Sequence, residues 1–160
     1  MRLSGAGHGF MERSELLSLL TSFRKSPQIL FANEDELAQL TGDSNLESAI
    51  GQTFPDSRLL VVTLGEKGSA VRFEGVVYTV PVFAANNRVL DTTGAGDAYM
   101  GVMLAALFSE PYSRWTERHV KNCAETGSYA AFLVIQNLNS RLNQPDIEVA
   151  RSFHRQITSQ

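Results

Sequence analysis

The chain has 160 residues, of which 43% are hydrophobic and 19% charged, and its formal net charge is −3. That length suffices for one domain with a hydrophobic core, and the composition excludes a disordered chain. Its 14 Lys and Arg are scattered, which argues against a nucleic-acid surface, because neutralising phosphates takes concentrated positive charge.

Cys123 stands alone, so neither an internal disulfide framework nor a cysteine zinc cluster can form, which fits a reducing compartment. The opening "MRLSGAGHGFMERSELLSLL" has no long apolar run and reads wrongly for a signal peptide. No segment approaches the length of a membrane span. The expectation is a soluble, cytoplasmic protein without membrane or nucleic-acid partners.

In chain order, "RLSG" reads as a short strand. Residues 11–24 read as a helix, with Met11, Leu16, Leu19, Leu20 and Phe23 on one face and Pro27 closing it. "QILFA" (28–32) is an unbroken apolar run of strand length. Asn33 then offers an N-cap, with Glu34, Asp35 and Glu36 in the first turn, where the helix dipole favours anions. Gly42 ends that helix, and 44–53 form another. "RLLVVTL" (58–64) is a second buried-strand pattern, followed by a turn bracketed by Gly65 and Gly68. "SAVRF" and "VVYTVPVF" read as an antiparallel pair joined by the tight "EG" at 74 and 75. Gly94 to Phe108 reads as a helix apolar nearly all round, hence buried, and Pro111 breaks it. Residues 114–136 and 145–157 complete the helical patterns. Non-alternating strands interleaved with helices predict an α/β fold with a mostly parallel sheet covered on both faces and one late hairpin.

The chemistry concentrates in "DTTGAGDAYMGVMLAALF" (91–108). A Gly-Ala-Gly turn opening a helix leaves N–H groups directed outward, an anion cradle that small residues let a phosphate approach. Asp97 follows directly. It serves equally as a helix-capping acid or as a base that takes a proton from a substrate hydroxyl attacking phosphorus. Other glycine loops do not fit. No lysine follows Gly96 as a Walker A loop requires, and Tyr99 fills the third glycine position of a dinucleotide fingerprint.

"DTTGAGD" (91–97) resembles the C-terminal signature of the ribokinase-like (PfkB) carbohydrate kinase family, which includes adenosine kinase. "NEDE" (33–36) resembles its N-x-x-E motif, "VVTLGEKGSAV" (61–71) its nucleotide strand and turn, and "NCAETGSYAAFLVIQ" (122–136) the helix lining its adenine pocket. The resemblance implies a ribokinase-like fold, of which residues 1–160 form the C-terminal nucleotide-binding part. It implies ATP and Mg²⁺ as cofactors and a sugar or nucleoside as substrate.

By resemblance Asp97 is the catalytic base, and Gly94, Ala95 and Gly96 supply the anion-hole amides. Asn33 and Glu36 are similar to the pair that organises Mg²⁺ through water. On residue type alone that pair is an N-cap and a first-turn acid. Thr63, Gly65 and Gly68 resemble the nucleotide-contact turn, although glycines serve an ordinary strand-to-hairpin turn equally well. Asn122 resembles a nucleotide-pocket position, against an ordinary surface helix residue. Asp91 and Thr93 resemble the start of a monovalent-cation (K⁺) loop. Alternatively, Asp91 only fixes the loop presenting Gly94.

His8, His119 and His154, far apart in sequence, read as surface or packing residues. Cys123, Tyr112 and Trp115 read as packing. The chain departs from the family at Asn139, where relatives often carry glycine, and in the absence of the N-terminal half with its lid and di-glycine motif. The expected function is therefore an ATP-dependent phosphotransferase represented by its C-terminal half, inactive alone. The alternative is a non-catalytic nucleotide-binding fragment. An exposed sheet edge would promote self-association.

Overall fold

A computed structural model of the chain describes residues 13–22, 27–83, 89–137 and 141–159. The expected strand at "RLSG", His8 and Asn139 lie outside the described residues. The elements are α1 (Arg13–Ser22), β1 (Ile29–Asn33), α2 (Glu34–Thr41), α3 (Leu46–Gln52), β2 (Leu59–Thr63), β3 (Ser69–Phe73), β4 (Val76–Val80), α4 (Ala95–Leu107), α5 (Glu117–Ile135) and α6 (Gln144–Thr158). Short 3-10 turns occupy Gly65–Lys67 and Tyr112–Arg114. The chain divides into two compact units, one comprising Met1–Gly65 with Ser69–Thr79, the other Glu66–Gly68 with Val80–Gln160.

The first unit is built on a sheet of order β1-β2-β3-β4. β1 and β2 run parallel, with Ile29 opposite Leu59 and Asn33 opposite Thr63. β2 and β3 run antiparallel. The α/β class is as expected, but the sheet is mixed, with one parallel pair. Connection length explains it. Only the β1–β2 link, carrying α2 and α3, is long enough for a parallel crossover, whereas short turns return the chain antiparallel. The β3–β4 turn places both Glu74 (φ 49°) and Gly75 (φ 86°) in the left-handed region, as a two-residue hairpin requires. β4 stops at Val80 because Pro81 has no N–H to donate.

The strands do not alternate because both faces are covered. Leu30, Ala32, Leu60, Val62 and Ala70 pack with Leu37 and Leu40 of α2 and Ala49 and Ile50 of α3. The intervening Phe31, Leu59, Val61 and Val71 are equally buried. Each fully buried Leu or Val contributes about 1.5–3 kcal/mol.

Among the described residues, one charged side chain, that of Arg72, is buried. Arg72 donates from Nη1 to the Ile50 carbonyl at 2.5 Å, and from Nη2 to those of Thr53 and Phe54 at 2.7 Å each. The Ile50 and Thr53 carbonyls end α3, where a helix leaves acceptors unpaired, and the Phe54 carbonyl just beyond also accepts the Ser57 N–H. Burial pushes the Arg72 pKa below its ordinary value.

In the second unit α4 and α5 pack along their length. α4 buries only the stripe Tyr99, Met103 and Leu107, whereas its sequence predicts burial all round. Gly101 and Ala105 are exposed, and such small side chains present too little apolar surface for exposure to cost much. α5 starts at Glu117, later than expected, because Thr116 caps it by accepting the His119 N–H. α6 docks through Tyr129 stacked on Phe153 at 4.5 Å and through Thr126, whose Oγ1 lies 2.8 Å from His154 Nδ1. Burial, then the nearby His119, lowers the His154 pKa. His119 Nε2 lies 3.2 Å from the Leu107 carbonyl at the end of α4. Burial raises the Cys123 thiol to about 12, leaving it inert. Trp115 is buried between Phe108 and Tyr112 and donates to the Glu110 carbonyl, so these aromatics pack as expected.

Arg72→Met should lower unfolding stability by about 3 kcal/mol, because the Ile50 and Thr53 carbonyls at the end of α3 would lose the guanidinium donors. Arg72→Lys should recover only part, since an ammonium cannot span the same acceptors. Urea unfolding checks both, and an unchanged midpoint for Arg72→Met would remove this clamp from the fold.

Candidate functional site

The loop entering α4 is held from two sides. The Leu90 and Asp91 N–H groups donate to the Ile135 carbonyl at the end of α5, at 2.8 and 3.4 Å. Within the loop, Asp91 Oδ1 accepts from the Thr93 N–H at 2.8 Å, the side-chain turn typical of aspartate. The Ala95 N–H donates to the Thr92 carbonyl at 3.2 Å. Asp91 and Thr93 are thus joined to each other, which is the loop-fixing geometry.

Gly94 is the N-cap of α4, at φ 81°, and provides no side-chain cap. The N-cap residue itself therefore places no side chain on the first-turn amides. Gly96, the second helical residue, has no carbonyl one turn back inside the helix. A Cβ built on Gly96 would meet nothing within 4 Å, so the chain's own packing does not demand glycine there. Asp97 is exposed one residue on, in the first turn. The result is a positive helix end with a carboxylate beside it, suited to an anion and to a proton acceptor.

In the first unit, Asn33 and Thr63 end the parallel strands as register partners. Ligands of open α/β sheets bind beyond this end of parallel strands. Asn33 and Glu36 form a reciprocal capping box. Asn33 Oδ1 accepts from the Glu36 N–H at 2.7 Å, and Glu36 Oε2 accepts from the Asn33 N–H at 2.9 Å. Among the described residues no group of three or more His, Cys, Asp or Glu is arranged to hold a metal ion.

Thr63 leads into the turn at Gly65–Lys67, where Gly65 has φ 58° and open space at its Cβ position. Gly68 is tighter. Its φ is 92°, and a Cβ there would lie 2.1 Å from the Val80 carbonyl oxygen, so packing alone requires glycine. Asn122 is half-buried on α5, and its carbonyl accepts the Thr126 hydroxyl. Because Ile135 meets Leu90 and His119 meets Leu107, α4 and α5 run antiparallel. Asn122 therefore sits toward the C-terminal end of α4, away from Asp97.

The structure thus brings Asn33, Glu36 and Thr63 together in one unit. It brings Asp91, Thr93 and Gly94–Asp97 together in the other, without Asn122. Two supports lie inside the 122–136 motif at positions that the resemblance does not single out as site residues. One is the Ile135 carbonyl, whose contact is set by the backbone alone. The other is Gly127, in the small-residue run "ETGSYAA" on the face of α5 toward α4.

A profile of the pfkB family carbohydrate kinases matches residues 10–147. Fructokinase-1 of Zea mays is 32% identical over 108 residues, which cover 66% of this chain and 33% of the relative. Among solved structures, the adenosine kinase of Sinorhizobium meliloti superposes with a TM-score of 0.72 at 31% identity, covering 88% of this chain and 40% of that one. The fructokinase of Vibrio cholerae O395, solved with fructose, ADP and a calcium ion, superposes with a TM-score of 0.65 at 27% identity, covering 76% and 40%. The chain therefore spans a minor share of each relative. With most of its length matched by the family profile, the chain belongs to the pfkB family of carbohydrate kinases.

Proposed function

We propose that residues 1–160 are the C-terminal nucleotide-binding part of an ATP-dependent kinase that phosphorylates a hydroxyl of a sugar or nucleoside. The observation that carries this reading is the glycine N-cap of α4, Gly94 in the left-handed region, with Asp97 in the first turn. Fructose, ADP and a divalent ion in the Vibrio cholerae fructokinase support it.

In this reading the Gly94–Gly96 turn cradles phosphate oxygens. The N–H of Gly96 and the positive helix end stabilise the charge on the phosphoryl group in transit. Ala95, whose N–H closes the turn on Thr92, keeps that backbone in shape. The Asp97 carboxylate accepts the proton of the substrate hydroxyl as its oxygen bonds to the γ-phosphorus, and the bond from phosphorus to the β–γ bridging oxygen breaks, releasing ADP.

Asn33 and Glu36 would hold Mg²⁺ through water. Glu36 Oε2 is committed to the helix cap, which leaves Oε1 to a hydrated ion, and the donor set fits that rather than an all-protein cage. When bound, the ion neutralises phosphate charge. Thr63, Gly65 and Gly68 form the turn under the nucleotide, with Asn122 farther along α5. We assign Asp91 to fixing the loop, with K⁺ at Asp91 and Thr93 the alternative.

A second reading, nucleotide binding without turnover, is favoured by the share of each relative that the chain spans. Self-association through the β4 edge, where Val76 and Val77 are each 51% exposed, belongs to the same proposal. So does a cytoplasmic setting. No helix among the described residues is long and apolar enough to cross a membrane.

In an active form of the kinase, Asp97→Asn should lower kcat by about 10²- to 10⁴-fold while leaving ATP affinity unchanged. Turnover assayed over a panel of sugars and nucleosides, with calorimetry for ATP, checks this. Near wild-type turnover would remove Asp97 from the chemistry.

Gly96→Ala should separate stability from binding. The Cβ position is open in the chain itself, so the substitution should stabilise the fold by about 0.4–1 kcal/mol. The same methyl should obstruct phosphate approach and weaken ATP binding. A raised melting temperature with undiminished affinity would show that phosphate does not approach Gly96.

A further inference from the structure

Gly127 of α5 lies directly against α4. A Cβ there would lie 2.9 Å from the Tyr99 carbonyl oxygen, 3.2 Å from Met103 Cβ and 3.3 Å from Tyr99 Cγ. The nearest of these atoms is backbone, so no side-chain rotation makes room. Tyr99 is 4% exposed and Met103 0%, so neither side chain has free space to yield into. The missing methyl of Gly127 therefore sets how closely the two helix backbones approach.

Tyr99 is two residues beyond Asp97 and three beyond Gly96. The Ala98 N–H already donates to the Gly94 carbonyl at 2.9 Å, so this first turn is regular helix. Helix hydrogen bonds make the segment move as a body, and a displacement at Tyr99 carries Gly96 and Asp97 with it. The loop ahead of that turn is referenced to a different point of α5, through Leu90 and Asp91 on the Ile135 carbonyl. Ser128, the next residue after Gly127, fixes the segment leaving β4. Its Oγ donates to the Pro81 carbonyl and accepts from the Phe83 N–H, at 3.1 and 2.9 Å. α5 is thus the common frame for the cradle loop, the cradle helix and the strand exit.

We propose that Gly127 is a positioning residue for the α4 cradle, acting through Tyr99. By admitting the α4 backbone, it holds the Gly96 amide and the Asp97 carboxylate in register with the loop anchored at Ile135. The proposal rests on the nucleotide reading of that cradle. A methyl at Gly127 pushes α4 outward while Leu90 and Asp91 stay pinned, and the 91–97 turn shears between the two anchors. Small misplacements of this kind cost ligand contacts even where the fold survives.

The test compares Gly127→Ala with Val134→Ala, which removes buried side-chain volume from the same helix. In the ligand-free 160-residue chain, Gly127→Ala should displace the backbone amide resonances of Gly94, Gly96 and Asp97, and Val134→Ala should leave them in place. In titrations with MgATP, Gly127→Ala should bind about tenfold more weakly, and Val134→Ala as wild type. Unmoved resonances in a folded Gly127→Ala chain would overturn the positioning role. A wild-type chain that does not bind MgATP would contradict the nucleotide reading instead, and the ligand-free resonances would still decide the role of Gly127. If Gly127→Ala does not fold, the wild-type titration decides. Amides of Tyr99 and Gly127 that shift along the same binding curve as Gly96 and Asp97 support the coupling, and amides that stay still while the cradle responds overturn it.

Discussion

A helix cannot satisfy the N–H groups of its own first turn, and this chain resolves that constraint in two ways. α2, α3, α5 and α6 are closed by the side chains of Asn33, Asn45, Thr116 and Asn143, each accepting from a backbone N–H inside the helix. α4 begins instead at Gly94, which lies in the left-handed region and has no side chain to cap the amides. A glycine N-cap costs only about a few tenths of a kcal/mol relative to a capping Asn or Ser, so α4 gives up little by lacking that side chain. In the proposed reading this helix end receives an anion, and the residue beside it in the sequence is an acid, Asp97. The close packing on α5 and the loop tied to Ile135 keep this bare turn ordered.

The first unit follows a different logic. β1 and β2 are parallel and end at Asn33 and Thr63. The chain leaves β1 directly into α2, so one residue both ends a strand and caps a helix. Glu36 completes the cap by accepting the Asn33 N–H. A capping box and a metal-organising pair are therefore compatible readings of the same residues. The cap uses one carboxylate oxygen and orients the other.

Much of this was legible in sequence because it is local. "QILFA" and "RLLVVTL" are unbroken apolar runs, Asn33 with Glu36 spells a helix start, and "EG" spells a two-residue hairpin. The turn at Gly94 showed itself because its chemistry occupies consecutive residues. What was illegible is non-local. The mixed sheet depends on which connections are long enough to cross over. The burial of Arg72 depends on the carbonyls of Ile50, Thr53 and Phe54, at the end of α3 and just beyond it, meeting its guanidinium. A charge in "SAVRF" gave no hint of it. The face α4 buries, the distance of Asn122 from Asp97 and the contact at Gly127 all arise from helix pairing, which periodicity within one helix does not encode.

The central claim is that the first turn of α4 holds the phosphates of a nucleotide with Asp97 beside them. The most direct measurement is a crystal structure of the chain with MgADP bound. The expected result is a terminal phosphate oxygen about 2.7–3.2 Å from the Gly96 nitrogen, with the Asp97 carboxylate facing the open side of that phosphate. A nucleotide bound elsewhere, with the Gly94–Asp97 turn free of phosphate, would contradict it.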